Sequence, residues 1–428
     1  MASLKVLIVG GGVGGPALAF WLAQLGHDVT IIERTPTLRA QGQQIDLRGQ
    51  GVSVLRLMGL EPEVRALGVD EAGIRFVDSN GKQQAILRAN KSGVGRQALT
   101  SEFEIMRGDL VRLLFDKTEQ LGVKYVFGKT IEELDQDDES VTVRLSDGTS
   151  QTFDLIVGAD GQGSRTRRLM LGPGAKDPFV PFGLHTAFYT VPTIKSDDNF
   201  ANVCAVPGQR LMMTRSDNPE TSQVYLSIVP QDEETDRALQ ESQKSRDVER
   251  QKRLWIELFK DAGWQASRFI DGLNAGGVSD DFYNVHVGQV RMDKWHKNRV
   301  GLLGDAAHAP SFLTGYGTTS AFVGAYVLAG EISKHCSGEG GKAGVSAALE
   351  AYDRCMHPFM KTVQNIAVRP ARTYPKSAWG VSVFNTIVWL FTSLRVDKLL
   401  QYIQSDNIKG WDLPKYPLLP VKGAGKEV

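Results

Sequence analysis

Residues 5–15 read Lys-Val-Leu-Ile-Val-Gly-Gly-Gly-Val-Gly-Gly. The aliphatic run 5–9 predicts a short buried strand, and Gly10, Gly12 and Gly15 satisfy a G-x-G-x-x-G spacing directly after it. Residues 16–25 carry a helical pattern that Gly26 ends, and 29–32 predict a second strand. Strand, glycine turn, helix and strand form the context in which this spacing binds a dinucleotide. The first glycine permits a tight turn, the second lets a pyrophosphate reach the backbone, and the third lets helix and strand pack closely. Gly11, Val13 and Gly14 complete the turn, which offers phosphate the N–H groups of a helix N-terminus. Glu33 ends the second strand, where an acid accepts hydrogen bonds from an adenosine ribose. A rival match, Gly93-Val94-Gly95-Arg96-Gln97-Ala98, has neither strand nor helix around it and is rejected.

Outward from this motif, the chain has 428 residues, 42% hydrophobic and 23% charged, which suits two or three domains with ample core. Lys+Arg and Asp+Glu number 49 each, so no global basic field attracts nucleic acid or an anionic membrane. Cys204, Cys336 and Cys355 lie far apart without C-x-x-C spacing and read as reduced thiols of an intracellular protein. The seven histidines are scattered, with no H-x-x-x-H or H-E-x-x-H, so no metal site is expected. No G-x-S-x-G elbow supports a serine hydrolase. The glycines after Val9 cut the first apolar run too short for a signal peptide. Residues 381–394 include five polar side chains and fall below the ~20 residues of a bilayer span. A cytoplasmic protein without a membrane span is expected.

Farther along, residues 41–51 predict a loop lying against a ligand, and 104–119 a helix. Runs at 124–127, 130–134, 141–145 and 152–153, with a Ser-Asp-Gly turn at 146–148, predict antiparallel strands. Residues 155–157 predict another buried strand. Longer strands at 184–191, 210–215 and 223–228 mark a β-rich domain inserted into the first. The charge-dense stretch 231–253 predicts a solvated helix face. Residues 299–304 predict a strand and 318–334 a helix. The proline-punctuated end after Trp411 predicts a loose tail. The expected organisation is a discontinuous nucleotide-binding domain (1–75, 105–180, 290–370), a substrate domain (76–104, 181–289), a C-terminal helical segment (371–412) and a tail (413–428).

Three more motifs follow in order. Asp160-Gly161-Gln162-Gly163-Ser164-Arg165-Thr166-Arg167 fits D-G-x-x-S-x-x-R after the strand at 155–157. Gly304-Asp305-Ala306-Ala307-His308 follows the strand at 300–303, and Gly315-Tyr316-Gly317 precedes the last long helix. On these residues the chain, over about 4–370, resembles the class A FAD-dependent monooxygenases of the para-hydroxybenzoate hydroxylase fold. The resemblance implies an α/β protein: a Rossmann-like FAD-binding domain interleaved with a β-sheet substrate domain, plus a C-terminal helical segment. It implies FAD as cofactor and NADPH or NADH as a transient co-substrate with no Rossmann domain of its own. O2 would add at flavin C4a, and the resulting hydroperoxide would oxygenate an aromatic or polyketide-like small molecule, by default as a hydroxylation. Such chemistry belongs to secondary metabolism. Monomer and homodimer both remain open.

The resemblance also implies roles for individual residues. Gly10, Gly12, Val13, Gly14 and Gly15 cradle the pyrophosphate, and Glu33, followed by Arg34, binds the adenosine ribose. Arg39 lies near the phosphate or ribose, Arg107 beside the ribityl–pyrophosphate chain, and Asp305 on a ribityl hydroxyl. Asp160 and Arg167 support FAD and the passing nicotinamide. The stretch 44–48, with Leu47, runs along the isoalloxazine edge. Gly315 and Gly317 clear side chains from a planar ring, and the helix from about Thr318 points its positive end at a reduced flavin. His308 shapes its loop, and no catalytic residue is assigned. Ser311 and Phe312 stand where many members carry two prolines, and Thr319 and Gly324 where many carry Asn and Asp.

For the substrate, Tyr316 between two glycines and alternating strand residues His185, Arg210, Met212, Arg215 and Tyr225 are candidate contacts. Two other readings share the motifs: a flavin reductase or dehydrogenase without oxygen insertion, and a non-catalytic FAD-binding protein held at a membrane by the helix at 381–394. A halogenase is excluded because none of the seven tryptophans forms a W-x-W-x-I-P stretch.

Overall fold

The opening strand, Lys5–Val9, lies inside a six-stranded sheet in the computed structural model, which describes residues 3–39, 42–90, 103–245, 247–274, 281–366, 373–396 and 406–420. Its parallel neighbours are Asp28–Glu33 and Leu155–Gly158; Val6 pairs with Val29 on one side and Leu155 on the other. Val300–Leu302 continues the parallel order, and the two-residue strand His296–Lys297 closes that edge antiparallel. Residues 6–9 are all buried, which is why this strand reads as an unbroken aliphatic run rather than an alternation. Lys124–Phe127, expected in an antiparallel group, instead forms the parallel edge beside Asp28–Glu33. Four residues alternating in burial carry no information about strand direction; the helix Arg107–Gln120 in front of them returns the chain to the same end. The expected antiparallel strands appear as Ile131–Gln136, Val141–Leu145 and Ser150–Phe153.

The second sheet has seven strands in the order Tyr283–Val290, Phe179–Pro192, Thr221–Ile228, Arg210–Ser216, Phe200–Val206, Gly73–Val77 and Gln83–Arg88. Its outer face packs on three helices, Glu233–Lys244, Val248–Phe259 and Ala266–Asn274, through Tyr189, Met212, Leu226, Trp255, Phe259 and Phe269. The charged stretch 231–253 thus forms two amphipathic helices, with Leu239 and Trp255 inward and their acids and bases in water. The expected domain boundaries at 75/76, 104/105 and 180/181 fall inside the strands Gly73–Val77, Phe103–Met106 and Phe179–Pro192.

Between the two large sheets lies a two-stranded ribbon, Gln44–Leu47 against Phe103–Met106. Both strands differ from expectation. The stretch 41–51 holds a strand and the start of helix Gln50–Met58, and the helix expected from Glu104 begins at Arg107. Phe-Glu-Ile-Met fits either element by pattern; its pairing partner decides. The rejected match at 93–98 lies outside the described residues.

The C-terminal helix Ala378–Ser393 packs on the seven-stranded sheet. It lies against Gln83–Arg88, with Phe384 edge-on to Phe76, ring centres 6.2 Å apart. The segment beyond it is not a loose tail through residue 420. Tyr416 and Leu419 are buried, the Tyr416 hydroxyl donates to Glu331 Oε1 at 2.7 Å, and that of Tyr326 donates to the Pro414 carbonyl. Prolines here limit chain freedom, and aromatic anchors fix the rest. None of the described helices is long and apolar enough to cross a membrane.

Candidate active site

The glycine turn meets the expectation of close approach. Gly10 has φ +115°, and a Cβ there would stand 2.5 Å from the Ala159 carbonyl oxygen; one on Gly15 would overlap the Gly10 carbonyl. Gly12 faces only the tip of the Arg107 guanidinium, 3.4 Å from where a Cβ would be. The helix Gly14–Gln24 begins there and aims its first N–H groups into the gap. Glu33 Oε2 accepts from the Gly11 N–H at 2.8 Å and Oε1 from the Thr35 N–H at 3.0 Å, so its carboxylate is pinned at the rim of the turn. Arg34, next in the chain, is exposed.

Arg107 opens its helix beneath this turn and donates to the Arg39 carbonyl at 3.3 Å. Burial and the neighbouring Arg39 guanidinium depress its pKa, while Tyr283, Glu33 and Asp305 pull the other way. Two crowded guanidiniums beside helix N–H groups form a site that an anion relieves, and a diphosphate fits that demand. Asp305 is enclosed by protein, yet its side chain faces open space in the groove. Burial raises its pKa against the pull of Arg107 and Arg167. Gly317, at the start of the helix Gly317–His335, has nothing within 4 Å of a Cβ position. Thr318 is half-buried beside it. The residues present therefore fit a flavin dinucleotide, which Gly12 and Arg107 would hold at its phosphates, Glu33 at the ribose, Asp305 at the ribityl chain, and Gly317 and Thr318 at the ring.

Other expected contacts act through the scaffold. Asp160 accepts from the Arg165 and Thr166 N–H groups and from the Ser164 hydroxyl, which caps the helix Arg165–Leu171. Arg167 donates to the carbonyls of Ala306 (2.9 Å) and Gln162 (2.6 Å), tying this loop to the segment that carries Asp305. Leu47 points into the core and pairs with Phe103 in the ribbon. Thr319 is fully buried; its hydroxyl accepts from the Arg48 N–H at 2.9 Å and donates to the Arg48 carbonyl at 3.1 Å. His308 is buried 3.3 Å from the Tyr352 hydroxyl, and burial holds its pKa down to about 3, so the ring is neutral and structural.

The candidate substrate residues divide. Arg215 and Tyr225 lie on the inner face of the seven-stranded sheet, toward the ribbon and the groove. Arg215 donates to Glu71 Oε1 (2.9 Å) and Glu104 Oε1 (2.8 Å). Burial opposes the Arg215 charge, but Glu104 and Glu71 outweigh it and hold the pKa well above normal. Burial pushes the Glu104 carboxyl up to about 8; Arg215 counteracts this, while Asp46 and Glu71 add to it. The Tyr225 hydroxyl donates to Gln223 Oε1, which also accepts from the Gln44 N–H of the ribbon.

His185, Arg210 and Met212 lie on the opposite face, a correction to their reading as substrate contacts. Met212 is core beneath the helices, Arg210 pairs with Asp261 and the Leu258 carbonyl, and His185 bonds Asp236. Helices cover that face, so alternate residues of the same strands are divided between two environments. Tyr316 is also turned away: it is buried in the core and its hydroxyl donates to the Asp406 carbonyl at 2.8 Å.

Sequence reasoning named Tyr225 but missed the rest of the aromatic wall around it. Phe188 stacks on Tyr283 at 4.9 Å and meets Tyr225 and Phe312 edge-on at 5.0 and 5.9 Å. Tyr283 lies in turn under the Arg39 guanidinium, 5.6 Å from its ring centre, so the wall reaches the flavin groove. Phe312 is the residue flagged for standing in a proline position. The others come from three different strands, Phe179–Pro192, Thr221–Ile228 and Tyr283–Val290, and no local pattern joins them.

The comparisons with known proteins agree with this geometry. The family model described as FAD binding domain matches residues 3–367. The FAD-dependent monooxygenase asL4 of Sarocladium schorii is 42% identical over 98% of this chain and 99% of its own. The flavin-dependent monooxygenase eupH of a Phoma species is 42% identical over 93% of this chain and 94% of its own. Among solved structures, tetracycline destructase Tet(51) superposes with a TM-score of 0.75 at 27% identity, covering 97% of this chain and all of that one. Motifs, groove and full-length similarity converge, and the chain belongs to the FAD-dependent monooxygenases.

Proposed function

We propose that this monooxygenase hydroxylates a flat aromatic or polyketide-like molecule held between the inner face of the seven-stranded sheet and the flavin groove. The aromatic wall of Phe188, Tyr225, Tyr283 and Phe312 carries the reading, because its ring faces favour a planar guest. One structural neighbour is named a tetracycline destructase. The redox chemistry, hydride acceptance from NADPH or NADH and transfer of one oxygen atom from O2, is supplied by bound FAD. The protein's share is positioning and charge. The positive end of the helix Gly317–His335 supports negative charge on the ring, and Thr319 holds the turn at Arg48 against that helix. Gln223 and Arg215 set the polar edge of the chamber.

The FAD-loaded protein, given a panel of phenolic polyketides, is expected to accelerate NADPH or NADH oxidation with at least one compound and to return it with one added oxygen. Phe188→Ala should raise KM at least about tenfold with flavin occupancy unchanged. Hydrogen peroxide as the sole oxygen product with every aromatic compound, or a Phe188→Ala enzyme with wild-type KM, would overturn the reading. Asp305→Ala should purify folded but without FAD; full occupancy would place the cofactor elsewhere.

A further inference from the structure

On the outer face of the seven-stranded sheet, away from the flavin groove, three metal-ligating side chains converge. His185 of Phe179–Pro192 and His286 of Tyr283–Val290 are directly paired across two antiparallel strands. Their imidazoles stack with centres 4.3 Å apart and planes 12° from parallel. Asp236, on the helix Glu233–Lys244 that crosses them, places Oδ1 2.8 Å from His185 Nε2. One ligand atom from each of the three lies within 4.8 Å of the others. His286 Nε2 is buried with no hydrogen-bond partner. An orphaned ring nitrogen beside a carboxylate is costly unless something fills the position.

We propose that His185, His286 and Asp236 bind a divalent transition-metal ion of the zinc class. Two imidazole nitrogens and one carboxylate oxygen are a zinc-type donor set, with the fourth position left to water. Calcium and magnesium demand oxygen ligands and are not served by it. A tetrahedral ion needs ligand atoms about 3.4 Å apart, so a small rotation of the Asp236 carboxylate and a slight splay of the rings close the site. The electrostatics agree. Asp236 is joined by Asp232, Glu233 and Glu234 in the same helical turn, and its other side-chain partner is the neutral Gln240 amide, 2.8 Å away.

The ion would staple the helix to both strands. It also sits one residue from the cofactor loop, because Gln162 Nε2 donates to the His286 carbonyl at 3.0 Å. An ion that binds only the folded state stabilises it by RT ln(1 + [L]/Kd), so the unfolding temperature rises with free metal concentration. FAD-loaded protein stripped with a chelator should take up about one equivalent of Co2+ per chain with the intense visible bands of a tetrahedral site, and Zn2+ should displace it and raise the unfolding temperature by a few degrees. His286→Phe, which keeps the stacked ring, and Asp236→Asn should each abolish both signals while FAD occupancy and basal NADPH oxidation stay unchanged. Failure of wild type to give tetrahedral Co2+ spectra, or wild-type spectra in both variants, overturns the assignment. Should His286→Phe lose flavin and so misfold, Asp236→Asn decides alone, since its side chain lies at the helix surface.

Discussion

The two faces of the seven-stranded sheet are built from the same strands and do opposite work. On Arg210–Ser216, Met212 enters an apolar core under three helices, while Arg215, three residues on, enters a cluster of buried carboxylates beside the ribbon. On Phe179–Pro192, His185 turns toward Asp236 and Phe188 toward the aromatic wall. The outer face is held together by hydrophobic area with ion pairs at its rim. The inner face keeps polar groups dry and in fixed positions, as a binding surface must. Alternation sorts residues into two sets; only the covering layers say which set meets a substrate.

Substitution on each face should separate these roles. Arg215→Ala leaves Glu71 and Glu104 buried without their cation, and should cost about 3–5 kcal/mol in denaturant unfolding together with most of the turnover. Met212→Ala opens a cavity on the other face and should cost about 2–5 kcal/mol, with the substrate KM unchanged in protein kept cool enough to stay folded. A change in KM there would undo the division into faces.

A smaller effect is expected from pH. Glu104, with a folded pKa of about 8 against 4.5 for an ordinary glutamate, holds a proton in the folded state that the unfolded chain releases. Its contribution is therefore fully present below pH 4.5 and is lost as pH rises through about 8. Glu104→Gln should flatten the decline in unfolding temperature between about pH 4.5 and about pH 8. An unchanged slope would mean that Arg215 keeps Glu104 ionised. The smallest effect belongs to Asp261→Ala, which takes an exposed carboxylate from Arg210 and leaves the Arg210 bond to the Leu258 carbonyl; it should change stability by less than about 1 kcal/mol and turnover not at all.

The nucleotide half was legible because its requirements are local. The glycine turn, Glu33, the Asp160–Arg167 motif and Gly304–His308 each depend on a few consecutive residues and a fixed backbone shape, so order and spacing along the chain reveal them. The substrate half was legible as strands but not as a site. Phe188, Tyr225, Tyr283, Glu71, Glu104 and Gln223 come from four strands and a loop whose registers no local pattern sets. The ribbon strands Gln44–Leu47 and Phe103–Met106 were misread for the same reason: each is too short to declare itself without its partner.

The sequence alone determined a dinucleotide turn, the order of motifs that places a flavin, and the alternation of the strands, because backbone sterics and periodicity are properties of neighbouring residues. Tertiary structure alone decided which face of the sheet meets the groove, which charges share a buried cluster, and that residues 406–420 fold back onto the flavin-binding core. Those outcomes depend on contacts between residues far apart in the chain, where burial and pairing, rather than local preference, set the energy.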